Sequence, residues 1–159
     1  MLLYQPDAAA TVRHLLQFVK PGGIVVFHDI DFPDPNPSYP PCPLYDQTYA
    51  LLGEAFRRSG APPNFGRRLG KTFLDAGLPF PTIMAETVAG GGPGAYAYAW
   101  IASTLMSVAP RLELLGLSLP PGIVADDTLA GRIEEEAVRQ GSQLLAPGQF
   151  GAWTRKPLR

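Results

Sequence analysis

The sequence predicts an α/β domain in which helices cover a sheet. Three observations carry that prediction. Helical and extended patterns alternate in the order helix, strand, two helices, strand, two helices, strand. The run Ile24-Val25-Val26-Phe27-His28 is apolar without alternation, as in a strand buried on both faces beneath helices. The chain is 46% hydrophobic over 159 residues, enough to bury one core of ordinary size and too apolar for a disordered tail.

The first helix opens at Asp7, whose carboxylate suits an N-cap. It runs to Val19, with Ala8, Val12, Leu15, Leu16 and Val19 on one face. Lys20-Pro21-Gly22-Gly23 ends it, because proline disfavours helix in the residue before it and glycine permits a sharp reversal. A strand over 24–28 follows. Six prolines between 32 and 43 then predict a stiff, extended loop folded over the domain. Helix returns over 44–59, with Leu44, Thr48, Leu51, Leu52, Ala55 and Phe56 inward. Another helix runs from Asn64 to Gly77, where glycine suits a left-handed cap. Residues 80–89 read as a strand. The stretch 94–116 is helical with a kink at Pro110, and 117–125 is loop. Asp126 or Asp127 caps a helix to Gly141, on which Arg132 and Glu136, and Glu135 and Arg139, stand at spacing i,i+4. Glu134, Glu135 and Glu136 point in successive directions and read as a solvated face, not a metal site. The last strand spans 149–156, around Phe150 and Trp153. No internal repeat and no clear second domain stands out.

Composition bounds the function. The net charge of −1 gives no electrostatic case for nucleic acid or an anionic membrane. With 17 glycines and 18 prolines, the share of these residues is nearly twice the average of roughly 12%, so long loops separate the elements. The single cysteine, Cys42, excludes an internal disulfide and a cysteine-based zinc cluster, and reads as a reduced thiol. No metal site is predicted. The apolar part of the N-terminus is too short for a signal peptide. The longest uncharged run, 95–110, falls short of the roughly 20 residues a bilayer needs. The expectation is a soluble, cytoplasmic protein with no membrane contact.

Three segments together resemble a known family. The run from Leu15 through Lys20-Pro21-Gly22-Gly23 to His28-Asp29 is similar to the helix, L-K-P-G-G, strand, acidic-residue signature of class I S-adenosylmethionine-dependent methyltransferases. Gly66-Arg67-Arg68-Leu69 with Phe73-Leu74-Asp75-Ala76-Gly77-Leu78 resembles the passage that follows in that fold. Phe150-Gly151-Ala152-Trp153-Thr154-Arg155-Lys156-Pro157 looks like the closing antiparallel strand of many bacterial small-molecule methyltransferases. The resemblance covers nearly the whole chain. It implies a single partial domain over 1–159, the C-terminal half of a Rossmann-like methyltransferase fold. Its sheet is mixed, with helices on both faces and a helical, lid-like insertion at about 94–141. The last strand should lie between the strands of 24–28 and 80–89 and run antiparallel to both.

The family's cofactor motif, an acidic residue followed by G-x-G-x-G, should precede Leu2-Leu3-Tyr4-Gln5 and has no counterpart there. The glycine run 90–94 follows a strand and opens a helix, as a cofactor loop does. Val88 stands where the acid should be, so this run reads as a flexible exit from a strand. The chain therefore looks truncated or wrongly started. Alone, it is expected to bind S-adenosylmethionine weakly or not at all.

Methyl transfer from a sulfonium draws most of its rate from proximity and in-line orientation, with a base needed only for a protonated acceptor. Ligands in this fold bind outside the carboxyl ends of the strands. The resemblance thus points to Tyr4 and Gln5 for the cofactor, and to His28 and Asp29 as catalytic residues, His28 being the base because its ordinary pKa lies near neutral. Asp31, Tyr39 and Tyr45 are candidates to bind the acceptor, a small molecule, with Tyr49 beside them. Arg67 and Arg68 are candidates for an anionic acceptor. Tyr96, Tyr98 and Trp100 belong to a lid or a dimer face, and His14 to the surface. The rival reading is a non-catalytic α/β module that pairs with a partner through an exposed sheet edge, either as a homodimer or with the missing N-terminal half. Either way, the isolated chain is expected to aggregate, dimerise or need a partner.

Overall fold

The computed structural model describes residues 2–32 and 36–158, so Pro33 and Pro35 of the proline-rich loop lie outside the described residues. It is an α/β chain of five α-helices and two three-stranded sheets. Two compact units share the chain. One comprises residues 1–33, 60–86 and 147–159, the other 34–59 and 87–146. The helical span expected at 94–141 falls in the second unit, together with residues 36–43 of the proline-rich loop and the helix after it.

In the first unit, α1 (Ala8–Leu16) starts at Asp7, whose Oδ1 accepts the Ala10 N–H at 2.8 Å. It ends sooner than Val19, because the chain tightens into i→i+3 bonds from Gln17 to Val19. Lys156 Nζ then donates to the freed carbonyls of Leu16 and Val19 at 2.8 and 2.9 Å. Both glycines of the turn are required. Gly22 has a φ of 74°, and a Cβ on Gly23 would lie 2.8 Å from the Lys20 carbonyl oxygen.

Strand β1 (Ile24–Asp31) pairs antiparallel with the last strand, β6 (Gly148–Arg155), from Ile24↔Arg155 to Asp31↔Gly148. The other edge of β6 pairs antiparallel with β3 (Thr82–Glu86), from Thr82↔Trp153 to Glu86↔Gln149. The order is therefore β1-β6-β3, with the last strand inside and antiparallel to both neighbours, as expected. A 3-10 turn at Gly66–Arg68 leads into α3 (Leu69–Asp75), which ends at Gly77 with φ 82°. These elements cover one face of the sheet. Phe27 meets Phe73 edge-to-face at 5.8 Å, and Gly66 lies on the Phe150 ring.

The expectation that β1 is buried on both faces is overturned. Val25, Asp29 and Asp31 are buried, while Ile24 and Val26 are 56% and 59% exposed. Every residue of β3 is exposed. Among the described residues helices cover one face of this sheet only. The other face carries Ile24, Val26, His28, Trp153, Thr82 and Met84, and it is open.

The second unit packs α2 (Pro43–Arg58), α4 (Tyr96–Val108) and α5 (Leu129–Gln140) around Tyr45, Leu52, Ile101, Leu105, Leu129 and Ile133. Three short strands, β2 (Ser38–Tyr39), β4 (Ala89–Gly90) and β5 (Gln143–Leu145), form its sheet in the order β2-β5-β4. No residue pattern marks β2 and β5, and the strand expected over 80–89 divides into β3 and β4. Pro110 lies in a 3-10 turn beyond the end of α4. Asp126 precedes α5 and accepts the Thr128 N–H and hydroxyl.

Of the three successive carboxylates of α5, Glu135 is exposed as its position suggests, but Glu134 and Glu136 are engaged elsewhere. Glu136 Oε2 accepts the Leu44 N–H at 2.9 Å, at the first turn of α2. Glu134 Oε1 accepts the Gly94 N–H at 2.8 Å, just before α4. Arg132 donates to the Gly122 carbonyl instead of pairing with Glu136. The start of α2 has no side-chain cap of its own, so an acid from another helix supplies one.

Two glycine substitutions test this packing. A Cβ on Gly66 would lie 2.6 Å from Phe150 Cδ2, so Gly66→Ala is expected to lower the unfolding free energy by about 1–3 kcal/mol in urea melts. Gly131, inside α5, has open space around its Cα, so Gly131→Ala is expected to raise it by about 0.5–1 kcal/mol. Glu136→Ala should cost about 1 kcal/mol, with Glu136→Gln recovering part of that loss.

Candidate functional site

The carboxyl end of β1 is where sequence and geometry concentrate polar groups. Successive strand residues point to opposite faces, so His28 and Asp29 are separated by the sheet itself. His28 is exposed on the open face, in one row with Gly151 and Met84 and beside the row of Val26 and Trp153. A Cβ on Gly151 would touch nothing within 4 Å, so the surface beside His28 dips there. The imidazole is exposed beside this dip.

Asp29 and Asp31 are fully buried on the helix-covered face. Asp29 Oδ2 accepts the Leu2 N–H at 2.9 Å and so fixes the 3-10 turn Leu2–Tyr4. Its Oδ1 is buried with no hydrogen-bond partner among the described residues. Burial holds the Asp29 carboxyl above its ordinary range, against the opposing pull of the Leu2 and Leu3 N–H groups. Asp31 Oδ2 accepts the Arg67 N–H at 3.1 Å, and its Oδ1 lies 3.2 Å from the Arg67 guanidinium. Asp31 is thereby engaged by Arg67 and closed to an acceptor, while the Arg67 side chain stays 54% exposed. Tyr4 is 54% exposed, and its phenol is pushed up by partial burial and by the charge of Asp29. Gln5 is exposed, 3.5 Å from the Thr11 hydroxyl.

The remaining candidates lie in the second unit. Tyr39 is 81% exposed, but Tyr45 is fully buried and its hydroxyl donates to the Leu145 carbonyl at 2.9 Å. Tyr45 is therefore a core residue beside Tyr49, not the wall of an acceptor pocket. Tyr98 is buried, with its hydroxyl on the Gly92 carbonyl, while Tyr96 is 60% exposed. The glycine run 90–94 borders a cavity of about 360 Å³ with Gly141 and Ser142. Gly91 has a packing reason. A Cβ on Gly91 would lie 2.6 Å from the Ser142 carbonyl oxygen, where β4 meets the end of α5. Cys42 is buried 3.4 Å from Glu136 Oε2, and burial, reinforced by that carboxylate, pushes its thiol up to about 12. No group of three or more His, Cys, Asp or Glu side chains is placed to hold a metal among the described residues. No described helix is long and apolar enough to cross a membrane.

Sequence reasoning missed the Asp31–Arg67 pair, because 36 residues separate partners that only the sheet brings together. It also missed the burial of Asp29, although strand alternation places Asp29 opposite His28 and was the available signal. Comparison with protein-family models and with curated proteins finds no match to this chain.

Two measurements follow. A carboxyl raised in the folded state binds its proton more readily folded than unfolded. Its contribution to stability therefore falls as pH rises from the ordinary value of ~3.9 through the shifted one. Asp29→Asn removes that term, so its melting temperature should improve relative to the native chain as pH rises above the ordinary carboxyl value of ~3.9. Cys42 should resist iodoacetamide in the folded chain at neutral pH and react fully in denaturant.

Proposed function

We propose that this chain is the acceptor-side part of an S-adenosylmethionine-dependent methyltransferase acting on a small molecule. The observation that carries this reading is the sheet. An antiparallel last strand lies between two strands that run parallel to one another, directly after a Lys-Pro-Gly-Gly turn. That arrangement is the one the resemblance implies, and it does not follow from composition. In this reading His28 is the base that takes the acceptor proton, on an open face where an acceptor can reach it. Tyr4 and Gln5 flank the cofactor. Asp29 is a positioning residue that holds the Leu2–Tyr4 turn, and Asp31 orders the Arg67 turn.

The bound cofactor would supply the electrophilic methyl group. Few residues here suit its ribose and carboxylate, since no acidic residue precedes the glycine run 90–94 at the family's spacing. Calorimetric titration of this chain with S-adenosylmethionine is expected to show weak binding or none. Tight stoichiometric binding would move the cofactor site to the glycine run. An acidic residue followed by G-x-G-x-G in frame upstream of Met1 would support the enzyme reading. An upstream frame without that motif would sink it.

A second reading is favoured by a specific observation. The sheet has an uncovered apolar face and two outer strands with one hydrogen-bonded neighbour each. The chain would then act as a non-catalytic module that pairs with a partner along a sheet edge.

A further inference from the structure

The hydrogen-bond phase of β1 shows which of its backbone groups face outward. Lys156 N–H donates to the Gly23 carbonyl at 2.8 Å, in register with Ile24↔Arg155. In an antiparallel ladder bonded and non-bonded pairs alternate. Val25, Phe27, Asp29 and Asp31 therefore exchange bonds with β6, while Ile24, Val26, His28 and Ile30 turn their N–H and C=O groups to the outer edge. None of those outward groups has a partner among the described residues. The strand contains neither proline nor lysine to guard that edge. Its two acidic side chains are turned to the helix-covered face and are engaged there.

We propose that the outer edge of β1 pairs antiparallel with β1 of a second copy of this chain, joining two sheets across a two-fold axis at Phe27. This rests on the pairing-module reading and names its partner. The register follows from the strand. Outward residues must face outward residues, so the axis falls on Val26, Phe27 or His28. At Val26, Ile30 drops out of the pairing. At His28, two imidazoles stand directly opposite and Ile24 drops out. At Phe27 all four outward residues pair, with Ile24 opposite Ile30 and Val26 opposite His28 of the second copy. About eight backbone hydrogen bonds result. Asp29 then faces Val25, and no carboxylate faces another. The axis also satisfies the self-complementarity that a symmetric dimer requires.

Hydrogen–deuterium exchange resolved by residue, with light scattering, tests this on the 159-residue chain. A dimer is expected in which the Ile24, Val26, His28 and Ile30 amides gain protection with concentration. Their exchange should slow about threefold per tenfold rise above the dissociation constant, following the monomer fraction. The Val25 and Phe27 amides should stay protected throughout. Val26→Pro removes an outward N–H without touching the ladder to β6, and should yield a monomer with Val25 and Phe27 still protected. Val26→Lys, which keeps the N–H but places a charge at the edge, should weaken the dimer as well. A monomer with the four amides exposed at every concentration would overturn self-pairing alone. A monomer with them protected would overturn the pairing-module reading too. A dimer with them exposed would place the interface elsewhere and also reject the proposal.

Discussion

The first unit depends on one ladder. Among the described residues β1 and β3 are not neighbours in the sheet, and the strand that each pairs with is β6. The same segment also holds the entry to the sheet. Arg155 donates to the Gly22 carbonyl, Gly22 N–H donates to the Lys156 carbonyl, and Lys156 closes the end of α1. The Lys-Pro-Gly-Gly turn is thus fixed from outside itself. Its glycines supply the backbone freedom, and the last residues of the chain decide where it points.

The second unit is organised differently. Its helices bury aliphatic and tyrosine side chains, but α5 also reaches out with two carboxylates. One meets the first turn of α2 and the other the peptide before α4. Helix starts carry unsatisfied N–H groups and partial positive charge, so an acid there is favoured by both hydrogen bonding and the dipole. Cys42 sits inside this junction, where the Glu136 carboxylate makes ionisation of the thiol costly.

Much of the fold was legible in the sequence, for identifiable reasons. Asp7, Gly22 and Gly77 act through local backbone chemistry and behave as their positions suggested. The placement of β6 was available only through resemblance, because nothing local says which strand lies in the middle. The short strands β2 and β5 were illegible. Their two or three residues carry no period, and proline surrounds the first. At the candidate site, His28 belonged to a run read as buried on both faces, and it is exposed, because one face of the sheet is open. Asp31 and Tyr45 were misread for one physical reason. A polar atom seen in sequence looks available until its partner, Arg67 or the Leu145 carbonyl, arrives from far along the chain.

The central position of β6 has a consequence for how the chain acquires its structure. Ile24 must wait for Arg155, and Thr82 for Trp153, so no part of the larger sheet can form locally. Contacts of such separation carry a large loop-closure cost and slow folding. During synthesis, β1 and β3 meet the neighbour they share among the described residues only once Gly148–Arg155 has left the ribosome. The second unit draws on residues 34–59 and 87–146 alone, and it can assemble before then. Of the two described strands that pair with β6, Ile24–Asp31 therefore waits longer for that partner.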